Sequence, residues 1–505
     1  MLRIEGDKLT IADVLDVALA CRKVSLSRQA RNRVMHARKT LEKLVNEGRI
    51  IYGVNTGFGR FAEISIPRND IQELQRNIVL SHAAGVGPLL SEDIVRAAML
   101  LKANGLASGY SGVRPVVIDT LLAMLNAGIH PEIPSQGSVG ASGDLAPLAH
   151  LVLVGMGMGQ ASVNGRSVHG GKALSQAGIK PLVLEAKEGL ALLNGTQVMT
   201  AAGVVALNRS QILFQSADII GAMSCEALSG SPVPYDPRIH ALRPHRGQGI
   251  VAENMRNLLA RSEILAERPF KRVQEAYSLR CIPQVHGAGR DVVAYAQSVL
   301  DHEINAVTDN PIIFADDREV LTGGNFHGEP LALAFDAMAM AVASLGAISE
   351  RRIAYLIDHD VSGLPGFLIK KQGLNSGFMI AQVTAADLVA ENKVLSHPNS
   401  VDSLPTSANQ EDYVSMGMAS ANKLLHVIRN TEYILAIELL CSCQGVDLRK
   451  PLRPGPVLNC TLKAFRHSVS FLETDRMLTP DIEEARLFIH RKKLLNVVNK
   501  HTVLK

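Results

Sequence analysis

The segment from Gly137 to His150 reads GSVGASGDLAPLAH, and its first half carries no side chain that could act as a strong base, bind a metal or hold a charge. Its glycines recur at every third position, but a dinucleotide-binding fingerprint needs a preceding strand, which the sequence does not predict here. A phosphate-binding loop needs a lysine and a nucleophile elbow needs Gly-x-Ser-x-Gly, and the segment has neither. The plain alternative is a tight loop that enters a helix at Asp144, where Pro147 fits the first turn.

Two further segments place polar side chains within helical patterns. Asn194 lies in an Asn-Gly-Thr-Gln cluster that interrupts an apolar helix pattern. It either completes an interhelical hydrogen-bond network or faces a ligand. Gln274, Tyr277 and Arg280 recur at i, i+3 and i+6, so on a helix they would lie on or near one face. There Arg280 would bind a carboxylate or form a surface ion pair.

Three more segments contain residues with two possible interpretations. In TSANQEDYVSM, Ser407 and Gln410 fit a capping box, and Glu411 would then lie in the first turn of a helix. His82 in VLSHAAG is either a hydrogen-bonded core histidine or part of a site. Tyr52 in YGVNTGFG has flexible glycine neighbours, which suit a mobile lid or a plain turn.

The composition indicates a large helical core. The chain has 505 residues, of which 47% are apolar and 20% are charged. Aromatic residues make up only 4% and tryptophan is lacking, so the core is mainly aliphatic, which favours close-packed helices over a β-sandwich. The net charge of +4 is small and no basic patch interleaved with aromatic residues occurs, so we expect no nucleic-acid binding. The longest apolar stretches carry Asp336 or the polar cluster Asn194-Gly195-Thr196-Gln197, so we expect no membrane span.

Six cysteines are spread along the chain. Cys441-x-Cys443 has no second Cys or His pair at zinc spacing, so we expect no metal. The first residues, MLRIEGDKL, contain no apolar stretch typical of a secretory signal. These features predict a cytoplasmic protein with reduced thiols.

Helical periodicity dominates the chain. An apolar stripe predicts a helix over residues 27–47, and Ser91 is expected to cap a helix that ends at Gly105. Longer patterns predict helices at 186–224, 250–267, 285–308, 329–358, 377–395 and 410–445. Strand-like runs are few and short, as around Val320. Several helices are rich in small residues and apolar on most sides, so we infer a large bundle completed by other subunits.

Seven segments occur together along the chain: YGVNTGFG, LVLSHAAGVG, GSVGASGDLAPLAH, EGLALLNGTQ, YSLRCIPQ, GGNFHGEP and SLPTSANQED. In this order they resemble the aromatic amino-acid ammonia-lyase family, whose signature is the Ala-Ser-Gly of the third segment. The resemblance covers nearly the whole chain and is closest to the members that act on histidine. A joint match of seven motifs favours the functional alternative at each segment.

The resemblance implies a prosthetic group made from the chain itself, with no external cofactor. The amide nitrogen of Gly143 would attack the carbonyl carbon of Ala141. Loss of two waters, one of them carrying the Ser142 hydroxyl, would leave a 4-methylidene-imidazol-5-one. Glycine hinders this attack least, which explains why residues 137–143, here called the bare loop, carry no large side chain. Helix N-termini aimed at the ring would draw electron density from it.

The resemblance also implies roles for residues outside this loop. Tyr52 would take the β-proton of the substrate, Arg280 would bind the substrate carboxylate, and Asn194 would assist the carboxylate and hold the ring. Three residues would line the same cavity, namely Gln274, Tyr277 and Phe326. Tyr277 and Glu411 also count among the implied catalytic residues. His82 and Glu411 would meet the imidazole or amine end, because a carboxylate can accept an imidazole N–H.

The implied reaction removes ammonia from L-histidine to give trans-urocanate. Ser81-His82 with Glu411 favours histidine, since relatives specific for tyrosine or phenylalanine tend to carry His-Leu or Phe-Leu in place of Ser-His. Departures from the histidine-specific pattern are Tyr413 for His, Glu275-Ala276 for Asp-Pro and His286 for Met. The alternatives are a tyrosine or phenylalanine ammonia-lyase or 2,3-aminomutase of the same family, a fumarase-type lyase, and an inactive helical scaffold.

The implied fold is all-α. It contains a long helical bundle of the ammonia-lyase and fumarase/aspartase type and an N-terminal region that carries the active-site loops. We predict a domain boundary between residues 1–195, which hold the lid loop and the prosthetic-group loop, and residues 196–505, the long-helix bundle. The resemblance further implies a small amino-acid substrate and a homotetramer whose active sites combine loops from different subunits.

Overall fold

The computed structural model describes residues 1–268 and 272–505 and consists mainly of α-helices. The first ten helices are α1 Ile11–Ala20, α2 Arg28–Asn46, α3 Ile71–His82, α4 Glu92–Ala107, α5 Pro115–Ala127, α6 Leu145–Gly155, α7 Gly170–Gln176, α8 Glu188–Leu193, α9 Gln197–Ala227 and α10 Pro237–Ala241. Those that follow are α11 Arg246–Leu259, α12 Glu263–Glu267, α13 Tyr277–Arg280, α14 Ile282–Glu303, α15 Glu329–Ile357, α16 His359–Ser362, α17 Met379–Leu395, α18 Gly417–Asp447, α19 Pro456–Arg466, α20 Thr479–His490 and α21 Lys493–Val498. The predicted all-α class is confirmed.

The β-structure of the described residues is limited to short strands of three or four residues. These are β1 Leu2–Ile4, β2 Val24–Leu26, β3 Val86–Leu89, β4 Ile129–Pro131, β5 Pro134–Gln136, β6 Gln160–Val163, β7 Arg166–His169, β8 Ile312–Phe314 and β9 Glu319–Leu321. β1 pairs with β2 in parallel, and the antiparallel pairings are β3 with β5, β4 with β6, β6 with β7, and β8 with β9. The strand predicted around Val320 is confirmed as β9.

The chain divides into two compact units, neither of which is continuous in sequence. The first unit consists of Met1–Val205, Gln297–Asp336 and Pro398–Asn422. The second unit consists of Ala206–Ala296, Ala337–His397 and Lys423–Lys505. All the described strands belong to the first unit. The domain boundary predicted after residue 195 stays a prediction.

Local signals account for most helix positions but not for every end. α2 begins after Ser27, whose hydroxyl accepts a hydrogen bond from Ala30 N, as the stripe over residues 27–47 predicts. Ser91 makes no such cap, because its hydroxyl donates to Asp93, and α4 continues through Gly105 to Ala107. The missing Ser91 cap shows that side-chain hydrogen bonding competes with a cap that the sequence suggests.

Close helix packing relies on residues without a Cβ atom. In the first unit, a Cβ added to Gly203 of α9 would lie 2.4 Å from the ring of Phe335 in α15. In the second unit, a Cβ added to Gly247 of α11 would lie 2.1 Å from Gly287 O in α14. These contacts agree with the inference that small residues let the helices approach closely.

Two properties bear on the expected environment of the chain. All six cysteines are free, and burial raises the pKa of the Cys441 and Cys443 thiols well above its usual range. Among the described residues, α15 is the helix that is long and apolar enough to cross a membrane, and 61% of its most apolar window is buried inside the structure. The sequence predicts no membrane span, and a buried core helix is as long and apolar as this one.

Candidate active site

The bare loop lies between β5 and α6 in the first unit. A short strand, Pro134–Gln136, therefore does precede Gly137, and the expectation of no strand there is wrong. β5 pairs antiparallel with β3 and does not belong to a βαβ unit, which a dinucleotide fingerprint requires. Three residues are too few to leave a clear alternating pattern in the sequence.

Backbone contacts with a second turn hold this loop. Gly195 N donates to Ser142 O at 3.0 Å, and Asp144 N donates to Gly195 O at 2.8 Å. Gly143 lies between them with a φ of +77°, and an added Cβ would lie 2.1 Å from Gly195 O. Only glycine fits at position 143, because any side chain would both strain the backbone and collide with the facing turn.

Two helix N-termini meet at the loop. Asp144 directly precedes α6, and its carboxylate accepts from Val198 N at 2.9 Å and Met199 N at 2.8 Å in the first turn of α9. Burial raises the pKa of Asp144 to about 7, while these hydrogen bonds lower it. The positive ends of both helix dipoles thus meet at Asp144, two residues after Ser142.

Asn194 occupies the break between α8 and α9, where the sequence predicts one helix over 186–224. Its side-chain Nδ2 donates to Asn310 O at 2.7 Å and to Asp309 Oδ1 at 3.2 Å. Asn194 also lines the cavity described below. The hydrogen-bond network is confirmed, and the contact with a ligand stays a prediction.

A cavity of about 580 Å³ brings together five of the predicted residues, namely Tyr52, His82, Ser142, Asn194 and Glu411. Much of the remaining lining is apolar, including Phe58, Phe61, Ile64, Ile66, Leu74 and Leu190. A mainly apolar pocket with a few convergent polar groups is the usual form of a small-molecule site.

Tyr52 is held between two anchored residues. Ile51 and Val54 are buried in a cluster that includes Leu41 of α2, which fixes the base of the glycine loop. The Tyr52 hydroxyl accepts a hydrogen bond from Gly59 N at 3.0 Å, and its ring meets that of Phe58 edge-on. The phenol oxygen is therefore positioned at the cavity by its own loop.

His82 and Glu411 contribute an imidazole and a carboxylate to the cavity. His82 ends α3, and burial lowers its pKa, although Glu411 raises it. Glu411 accepts from the Thr406 hydroxyl at 2.8 Å and forms a backbone bridge with that residue. The capping-box prediction is wrong, because Ser407 lies in a short 3₁₀ turn and α18 begins only at Gly417.

Gln274, Tyr277 and Arg280 lie in the second unit, where they line a cavity of about 560 Å³. Only Tyr277–Arg280 is helical, so the prediction that all three share one helix face is wrong, yet the three side chains meet. The Arg280 guanidinium stacks over the Tyr277 ring at 4.4 Å and donates to the Gln274 amide oxygen. Tyr277 is 71% exposed.

Phe326 lies half-buried in the turn between β9 and α15, and the described lining of the first cavity does not include it. The three departures from the common pattern also have defined surroundings. Tyr413 stacks on His327 with ring centroids 5.9 Å apart. Ala276 precedes α13, next to Glu275, which pairs with Arg268 at 3.0 Å. His286 is fully buried and bonds to Asp218 at 2.8 Å.

Sequence reasoning missed the charged residues beneath the loop. Lys102 and Lys187 are buried, as are Asp144 and Asp309. One signal was available, since Lys102 interrupts the apolar run AAMLLKANGLA on the buried face of α4. A lysine is almost never fully buried without a partner, so its position indicates a specific contact.

Comparisons with known proteins agree with this geometry. The family model described as aromatic amino acid lyase matches residues 9–467. A histidine ammonia-lyase of Symbiobacterium thermophilum is 49% identical over 493 residues, covering 98% of this chain and 97% of the relative. The crystal structure of histidine ammonia-lyase from Trypanosoma cruzi is 41% identical with a TM-score of 0.92, covering 99% of this chain and 96% of that one.

A second solved structure, tyrosine aminomutase from Streptomyces globisporus, is 37% identical with a TM-score of 0.94 and full coverage of both chains. Matches over nearly the whole length place the fold among the carbon–nitrogen lyases and their relatives. The chain belongs to the aromatic amino acid lyase family.

Proposed function

We propose that this protein eliminates ammonia from L-histidine to give trans-urocanate. The observation that carries the proposal is the meeting of Ser142, Tyr52, His82 and Glu411 in one cavity. The names of the relatives, histidine ammonia-lyases at 49% and 41% identity, support the same reaction. The β-hydrogen of an amino acid is barely acidic and an amine leaves poorly, so the site must assist both steps.

Ala141, Ser142 and Gly143 fit a 4-methylidene-imidazol-5-one formed from these three residues. Gly143 has no space for a side chain, the loop carries no bulk, and two helix N-termini are directed at it. Once formed, this group supplies an electron-poor double bond that helps the substrate amine to leave. The residues around it bind the substrate and move its proton.

Tyr52 is the proposed base for the β-proton. The hydrogen bond from Gly59 N fixes the hydroxyl oxygen at the cavity, where it can accept the β-proton. Phe58 and the other apolar residues of the lining exclude water from the oxygen.

His82 and Glu411 are the proposed contacts of the substrate imidazole. The Thr406 hydroxyl orients the Glu411 carboxylate, which can accept an imidazole N–H. His82 is neutral near pH 7 because burial lowers its pKa, so it offers a ring nitrogen without a competing positive charge.

Arg280 is the proposed partner of the substrate carboxylate, with Gln274 and Tyr277 beside it. Its Nε is buried without a hydrogen-bond partner, which leaves donor capacity for a bidentate contact. The exposure of Tyr277 supports a homotetramer in which these side chains and Phe326 complete sites shared between subunits. We also propose that the protein is cytoplasmic and that residues 1–195 and 196–505 form its two domains.

The test is incubation of the purified protein with L-histidine, L-tyrosine and L-phenylalanine, with product formation followed by near-ultraviolet absorbance. We expect urocanate from histidine. Pretreatment with borohydride, which reduces an electron-poor double bond, should abolish the reaction. Formation of cinnamate or coumarate without urocanate would overturn the histidine assignment, and β-amino acid products would indicate an aminomutase.

A further inference from the structure

Lys102 directs a buried ammonium group at the turn that holds the prosthetic-group loop. Its side chain, which emerges from α4, donates to Asn194 O at 2.5 Å and more weakly to Gln197 Oε1 at 3.4 Å. Burial lowers the pKa of Lys102 to about 7, while Asp309 and Asp144 raise it and Lys187 lowers it. A buried ammonium that donates to a neutral carbonyl concentrates its electrostatic effect on that carbonyl.

The carbonyl that Lys102 contacts belongs to the peptide group whose N–H reaches the loop. The Asn194 carbonyl and the Gly195 N–H form one peptide unit, and this N–H donates to Ser142 O at 3.0 Å. A hydrogen bond to the oxygen of a peptide group polarises it and strengthens its N–H as a donor. The effect of the Lys102 charge therefore extends through one peptide to the Ser142 carbonyl.

The neighbouring charges leave Lys102 free for this contact. Asp309 is paired with Lys187, whose Nζ lies 2.9 and 2.7 Å from its two carboxylate oxygens. Asp309 also accepts from the Asn194 side chain at 3.2 Å. Lys187 and Asp309 thus form the ion pair, and Lys102 is left to bond to neutral oxygens.

We propose that Lys102 is a positioning residue that promotes formation of the prosthetic group by polarising the Asn194–Gly195 peptide. The inference rests on the proposed function, since it concerns the group formed from residues 141–143.

In ring closure the Gly143 nitrogen bonds to the Ala141 carbonyl carbon, and the carbonyl oxygen leaves as water with the hydrogens of the Gly143 and Ser142 amides. In the second step Ser142 loses its Cα proton and its hydroxyl as water. The electron pair of the Cα–H bond moves toward Ser142 O and then expels the hydroxyl. Negative charge develops on Ser142 O, where the Gly195 N–H donates, so a stronger donor lowers the barrier.

The test measures the intact mass of the full chain at intervals after cell-free synthesis, because formation of the group removes two waters, about 36 Da. We expect Lys102→Met to lose this mass about tenfold more slowly than the wild type, the factor for one hydrogen bond to a charged group. Lys102→Gln keeps a donor without the charge and should be intermediate.

A matched control is Arg96→Met. Arg96 is a buried cation on the same helix that also donates to a backbone carbonyl, Val17 O at 2.9 Å. This variant should lose stability but form the group at the wild-type rate. Equal slowing in Arg96→Met and Lys102→Met would assign both effects to the packing of α4 and overturn the proposal.

The remaining outcomes separate this inference from the proposed function. A wild-type chain that never loses the two waters would refute the prosthetic group itself. If the wild type loses the two waters and a folded Lys102→Met or Lys102→Gln variant loses them equally fast, only the role of Lys102 is refuted. If circular dichroism shows that neither Lys102 variant folds, Lys102 is a structural residue and the proposal is wrong.

Discussion

Each of the two units buries a group of charged side chains, and the two groups differ in what they contact. In the first unit, Lys102 and Asp309 bond to the backbone and the side-chain amide of Asn194, which lines the candidate cavity. In the second unit, Arg352 and Glu438 are fully buried and bond to each other at 2.5 and 2.9 Å.

The second group satisfies its own charges. Glu438 accepts from Arg352 and from the hydroxyls of Ser224 and Ser349, both at 2.6 Å. His286 joins the group through Arg352, whose Nη1 lies 3.5 Å from its Nε2, and its Nδ1 bonds to Asp218 at 2.8 Å, so the departure from a common methionine places an imidazole among groups that bond to it. Buried charge alone therefore does not identify a site. A site is indicated where the charges act on atoms that line a cavity.

The largest effect that tests this contrast is expected for Ser142→Ala in the first unit. The variant cannot form the methylidene, so turnover of histidine should fall on the order of 10⁴-fold or more, the scale for removing a group that carries covalent catalysis. The fold should persist, because Ser142 contributes its backbone carbonyl and not its side chain to the bridge with Gly195. Product absorbance measures the loss of turnover, and intact mass shows whether the methylidene has formed. Full activity in a protein that keeps both waters would favour a fumarase-type lyase instead.

A smaller loss is expected for Tyr52→Phe, about 10³-fold in kcat, within the range for removing a general base. The aromatic ring and its contact with Phe58 remain, so the loop should keep its position. The variant should still lose two waters from residues 141–143, which separates proton transfer from formation of the group. Normal kcat in the variant would exclude Tyr52 as the base.

In the second unit, Glu438→Gln is expected to lower the free energy of unfolding by about 3 kcal/mol, because Arg352 would be left buried without its counter-charge. Chemical denaturation checks the value. The loss of two waters should proceed as in the wild type, since the described contacts of the loop lie in the first unit. If a folded Glu438→Gln protein lost the two waters more slowly than the wild type, the second group of buried charges would also act on the loop, and the contrast between the two groups would be wrong.

The smallest effect concerns the protonation of His82. Burial lowers its pKa in the folded chain, so the unfolded chain binds the proton more readily. Lowering the pH from 7 through the usual histidine range should therefore destabilise the protein at this site by about 1 kcal/mol or less. Chemical denaturation of the wild type and of His82→Asn at several pH values isolates the contribution of His82 protonation to the free energy of unfolding. Ring nitrogen shifts in labelled protein that show a charged His82 at pH 7 would contradict the expectation.

Motif order and local periodicity carried much of what the sequence could predict. The stripe of α2, the position of β9 and the all-α class follow from side chains near one another in the chain, and local steric and capping preferences act over that range. The segments that contain Tyr52, His82, Asn194 and Glu411 were also recognised, through their shared resemblance to one family. Predictions failed where a side-chain cap was inferred from residue types alone. Ser91 precedes α4 as predicted but makes no cap hydrogen bond, and Ser407 lies in a 3₁₀ turn.

The sequence by itself determined that residues 141–143 carry no bulky side chain, that the chain is helical, and which side chains are available for the chemistry. Tertiary structure decided which of those side chains meet in the first cavity, and that Lys102 contacts Asn194, 92 positions away. The physical reason is that a long-range hydrogen bond depends on how α4 packs near the break between α8 and α9. That packing depends on the burial of many apolar residues at once, and no local pattern encodes it.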